Sequence, residues 1–179
     1  MGRKIEKFIS TRTPIIRSMF LLRYLYILAL VIWVGGLVVA GAIVAPAVFD
    51  VLQAASTDGR VLAGLVFGEV LRRIHLLAYA MAAVMLLALT LQRVLGPRPI
   101  NFGIRAAIVG TMLAVALASG YVISPRIEAI ATAVKGPIAS LPADDPRRID
   151  FYRLHGWSNL LLMCTAVGGL ALLWWEARE

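Results

Sequence analysis

The 179-residue chain holds one cysteine, two histidines and ten acidic residues. A lone Cys164 closes no intrachain disulfide, so it says nothing of redox compartment, and inside an apolar run it reads as a small packing residue. Two histidines with few carboxylates cannot complete a tetrahedral zinc site from histidine alone. The sequence carries no Cys-x-x-Cys-His attachment motif, no phosphate-binding glycine loop and no protease signature. Without a nucleophile, base and acid in a recognisable pattern, no enzyme activity is expected.

Charge is missing over long distances. Tyr24 to Phe49, Ala106 to Ser124 and Gly156 to Trp175 contain no charged residue, and Ile74 to Leu91 contains only His75. At about 1.5 Å of rise per residue, each run can cross a hydrocarbon core of about 30 Å as a helix. Sixty per cent of residues are hydrophobic and the mean hydropathy is +0.84. The fold class expected is all-α: an integral membrane four-helix bundle with short amphipathic helices on its outer face. The first run follows more than twenty residues and lacks a small-x-small cleavage site, so it reads as a retained anchor and not a signal peptide.

The net charge of +8 is unevenly placed. Arg3, Lys4, Lys7, Arg12, Arg17 and Arg23 precede the first run, and Arg93, Arg98 and Arg105 lie between the second and third. Together with the C-terminal tail, that side carries ten positive and three negative charges, against eight and seven elsewhere. This asymmetry predicts cytoplasmic N- and C-termini and a multi-pass protein of a bacterial inner membrane. The basic excess is topological, with some attraction to lipid headgroups, and no nucleic-acid partner is expected. Residues 1–20 read as a basic cytoplasmic leader and 21–179 as the four-span domain. Gly96-Pro97-Arg98-Pro99 predicts a stiff turn.

What is present is a repeat. Ala40-Gly41-Ala42-Ile43-Val44-Ala45-Pro46 recurs as Ser119-Gly120-Tyr121-Val122-Ile123-Ser124-Pro125, and Arg73-Ile74-His75 recurs as Arg153-Leu154-His155. The offsets are 79 and 80 residues, so two hairpins, about 21–95 and 104–175, share one orientation. Such a parallel duplication implies a pseudo-two-fold axis along the membrane normal. Pro46 and Pro125 are expected to end the outgoing helices, Asp144-Asp145-Pro146 to start the last one. Gly35, Gly36, Gly41 and Gly120 are expected to mark close helix packing.

On Trp33-x-Gly35-Gly36, Ala45-Pro46-x-x-Phe49, Ser124-Pro125-Arg126 and Arg153-Leu154-His155-x-x-Ser158, in that order, the chain resembles a four-span membrane family. Its bacterial members are catalogued as a domain of unknown function, and its animal members are linked to resistance to platinum drugs. The resemblance covers about Leu22 to Leu173, implies a four-span bundle and implies no settled activity. The Trp-x-Gly-Gly helix is also similar to that of bacterial copper-resistance membrane proteins.

The repeated histidines sit at one level, beside Arg72, Arg73, Arg126 and Arg153. Neutral imidazoles on two helices could hold haem b or copper between His75 and His155, with Arg73 and Arg153 neutralising haem propionates. Equally, each histidine could be an interfacial residue that bonds a carbonyl freed by the preceding proline, and each arginine could snorkel or pair with a nearby acid. Ser158 and Asn159 are placed for interhelical hydrogen bonds. The role expected is a partner-binding or accessory subunit of a membrane assembly, its partners other membrane proteins or a second copy. A haem- or copper-binding protein and a transporter of a small solute or ion are the alternatives.

Overall fold

The computed structural model describes the backbone of residues 2–96, 101–134 and 136–178, with side chains from residue 17 onward. The expected turn at residues 97–99 and the side chains of most of the expected leader lie outside the described residues. Among the described residues there are six α-helices and no strand: α1 (Gly2–Val39), α2 (Ala45–Ala55), α3 (Gly59–Leu95), α4 (Phe102–Ala118), α5 (Ser124–Ala133) and α6 (Pro146–Glu176). Four continuous helical rods, Arg17–Ala55, Gly59–Leu95, Phe102–Ala133 and Pro146–Glu176, are long and apolar enough to span a bilayer. The protein is a small integral membrane protein built as a four-helix bundle.

The duplication is visible in which residues are buried. On α1 and just after it, Tyr26, Leu30, Trp33, Leu37 and Ala40 face the core, and 79 residues later so do Arg105, Val109, Met112, Ala116 and Ser119. On α3, Ala78, Met85, Leu89 and Gln92 are buried, and 80 residues later so are Ser158, Thr165, Gly169 and Leu172. Steps of three and four residues place each set on one helix face. Most side chains on the other faces are exposed and apolar, among them Leu28, Ile43, Leu87, Val167 and Leu170. A lipid surround explains that pattern, since tails are as apolar as leucine.

Pro46 and Pro125 do not stop their helices. Between α1 and α2 lies one π turn, Ala40–Val44, and between α4 and α5 another, Ser119–Ile123. The Ala45 N–H donates to the Ala40 carbonyl and the Ser124 N–H to the Ser119 carbonyl, each five residues back. A proline inside an α-helix lacks the donor and pushes its ring onto the carbonyl four residues earlier. One wider turn relieves that collision and lets the chain stay helical, carrying the amphipathic α2 and α5 beyond the apolar runs.

Two glycines are placed where helices touch. A side-chain carbon on Gly120 would collide with the Tyr79 hydroxyl and press on the His75 ring, and one on Gly169 would collide with Val34. One on Gly36 would make ordinary contact with Leu77 and Ile74, while Gly35 and Gly41 have nothing within 4 Å. Asp145 caps α6 by accepting from the Arg147 N–H at 2.8 Å, with Pro146 in the first turn, as the sequence predicts.

Candidate functional site

The repeated His-Arg motif lands in two different environments. His75 is 7% exposed on α3, stacks on Tyr79 with ring centroids 6.3 Å apart, and meets the bare backbone of Gly120. Tyr79 in turn stacks on Tyr121 at 5.7 Å and donates from its hydroxyl to the Ala116 carbonyl at 3.3 Å. His155 is exposed on α6 and stacks on Phe151 of its own helix, the planes only 4° apart. No ring contact joins the two imidazoles. The asymmetry follows from sequence: position 79 is tyrosine, whereas its counterpart 159 is asparagine.

The arginines pair locally. Arg72 and Arg73 both donate to Glu69, at 2.7 and 2.8 Å, and Arg153 pairs with Asp150 at 2.8 Å. These are exposed pairs one helical turn apart, screened by solvent. Among the described residues no group of three His, Cys, Asp or Glu side chains is gathered as a metal site. Met85 and Met112 are core residues and Met163 is exposed.

Inside the bundle at the level of His75 is a void of about 10 Å³. Trp33 and Leu37 from α1, His75 and Ala78 from α3, Ser119 at the second π turn and Thr165 from α6 line it. Around it the spans are filled by Leu30, Trp33, Met85, Leu89 and Val109, all less than 2% exposed. A space of that size admits one water at most.

A larger concavity lies on the outside, between α4 and α6. It measures about 410 Å³ and is lined by Gly103, Ala107, Thr111 and Val115 at every fourth position of α4. Cys164 and Gly168, one turn apart on α6, form the opposite wall. The duplicate positions in the first hairpin hold Tyr24, Leu28, Ile32, Gly36, Val84 and Ala88. Tyr24, Leu28 and Ile32 thus stand on α1 where Gly103, Ala107 and Thr111 stand on α4, while Gly36 is smaller than its counterpart Val115. Close packing of membrane helices depends on such small residues.

At the end where the chain termini lie, α1, α4 and α6 meet at a buried carboxylate. Arg105 Nη1 is 2.6 Å from Glu176 Oε1, and Arg23 Nη2 is 3.4 Å from Glu176 Oε2. The Arg105 guanidinium also lies over the Trp175 ring, 5.6 Å from its centroid. Sequence reasoning counted these charges only for topology. The signal that finds them is the repeat: Arg105 falls at the buried Tyr26 position, and Glu176 continues the buried series of Gly169 and Leu172.

Residues 28–135 match the family model described as Domain of unknown function (DUF4149). No curated protein and no solved structure matches the chain.

Proposed function

The chain belongs to the DUF4149 family, and from that premise we propose that it is a non-enzymatic accessory subunit whose α4–α6 groove receives a transmembrane helix of a partner protein. The groove carries the reading. It is apolar, faces outward from the bundle, and presents Gly103, Ala107 and Thr111 at the four-residue spacing that lets two helix backbones approach. Tyr24, Leu28 and Ile32 stand at the duplicate positions of Gly103, Ala107 and Thr111, which argues that these small residues serve something other than the bundle's own packing.

A haem b or copper site on His75 and His155, with Arg73 and Arg153 at its edge, would need the exposed His155 to reach the buried His75 or a ligand from a partner. A solute or ion path would need a passage wider than the internal void. Partner docking needs no rearrangement of the spans. In this reading both termini face the cytoplasm of a bacterial inner membrane, supported by the positive charge around them. The kinship with animal proteins linked to platinum-drug resistance rests on motif order alone.

The test compares complexes extracted in native nanodiscs from cells carrying wild type, Ala107→Leu with Thr111→Ile, or a Val31→Leu control. Wild type and the control are expected to hold the same membrane protein at fixed stoichiometry, and the groove-filled variant to lose it while remaining folded. Equal partner content in all three contradicts the proposal.

A further inference from the structure

We propose that the void on the bundle axis is a binding site for one water molecule, held by Trp33, His75 and Ser119, which ties the two hairpins together inside the membrane. The first observation is an orphaned donor. Trp33 is 1% exposed, and its indole Nε1 is buried without an acceptor. A buried N–H left unbonded forfeits the hydrogen bond it would make to water, more reason for a partner where no solvent reaches the core.

The second observation is the composition of the void that Trp33 lines. It gathers His75, Ser119 and Thr165, from three other segments. The Thr165 hydroxyl donates to the Leu161 carbonyl at 2.9 Å, leaving its oxygen able only to accept. Ser119 makes no side-chain hydrogen bond among the described residues and is buried. A neutral His75 imidazole has one ring nitrogen that accepts. A water in the void accepts from Trp33 Nε1–H and donates toward His75 and Ser119, within the two to four partners that buried waters make.

The third observation is size. About 10 Å³ is at the threshold for a single water and too small for any solute. The site also accounts for the pairing of Trp33 with His75 in a chain with only two histidines. Its counterparts under the repeat are Met112 and His155, which offer no indole donor and an exposed ring, so the first hairpin's copy of the motif alone builds it.

The experiment uses full-length protein in nanodiscs with ¹⁵N-labelled tryptophan indoles. The Trp33 Nε1–H resonance, identified by its loss in Trp33→Phe, is expected to show a cross-peak to water with the opposite signs in laboratory- and rotating-frame spectra that mark a long-lived bound molecule. Ser119→Val, which fills the void, should abolish the cross-peak while the indole resonance remains. Ser119→Ala should keep it, since Trp33 and His75 still hold the water. No cross-peak in the wild type overturns the proposal. So does one that survives Ser119→Val, or one that vanishes in Ser119→Ala, which would assign it to the hydroxyl proton. If Ser119→Val does not fold, the wild-type and Ser119→Ala spectra decide between the same outcomes.

Discussion

Arg105 and Glu176 form an ion pair whose side chains are each 5% exposed, in a bundle otherwise held by apolar contacts. Isolated charges so buried are strongly disfavoured, and a pair is tolerated when both partners stay. Glu176→Gln should lower stability by about 3 kcal/mol, because it takes the carboxylate from the buried Arg105 charge, and Arg105→Met should cost less, because Arg23 still lies 3.4 Å from Glu176 Oε2. The double variant Arg105→Met, Glu176→Leu should recover most of the loss. Thermal unfolding in one detergent, run as a double-mutant cycle, measures this; additive losses would show that the two do not act as a pair.

Gly120 and Gly41 are equivalent in sequence and opposite in surroundings. Gly120→Val must displace Tyr79 and His75 and should cost about 1–3 kcal/mol, as overpacking does. Gly41→Val meets open space and should change stability by no more than about 0.5 kcal/mol. Unfolding midpoints of the two variants, side by side, check it. Equal effects would mean the duplicate halves pack alike.

Asp145 stands outside the apolar run and titrates with the fold. Its hydrogen bonds with the Arg147 side chain and backbone hold its carboxyl below the ordinary aspartate value. A carboxyl depressed in the folded state adds stability above its unfolded pKa, and that stability is lost as pH falls through the folded value. The stability difference between wild type and Asp145→Ala should therefore be constant near neutral pH and shrink on acidification below about 4. Unfolding midpoints of both proteins across that range test the sign. A difference that grows in acid would refute it.

Much of the architecture is legible in the sequence because the membrane restricts the choices. Uncharged runs of sufficient length give the four spans, and Asp145-Pro146 starts α6. The repeat predicts which face of each span is buried, since equal offsets preserve helical phase, but not each residue, as the buried His75 and the exposed His155 show. What escaped reading has physical reasons. Pro46 and Pro125 signal a helix end only if the turn must be α-helical, and the π turn removes that condition. Arg105 and Glu176 look like surface charges until their phase on the helix is followed. The groove was invisible to a search for similarity, because it exists where Ala107 and Thr111 differ from Leu28 and Ile32.

The groove should be separable from the fold. Ala107→Leu puts there the residue that the first hairpin already carries on its own lipid face. Stability should shift by no more than about 0.5 kcal/mol, while co-isolation of a partner falls. Parallel unfolding and composition measurements on the same preparation check this. A large stability loss would mean that the small residues belong to the bundle's own packing.

The most direct measurement places a photo-reactive amino acid at Thr111, inside the groove, and separately at Ile32, its counterpart on the first hairpin, and irradiates native membranes. Partner docking predicts that position 111 joins to peptides from one transmembrane helix of one protein, mapped by mass spectrometry, and that position 32 yields lipid adducts. Lipid adducts from both positions would contradict the docking of any partner in the groove.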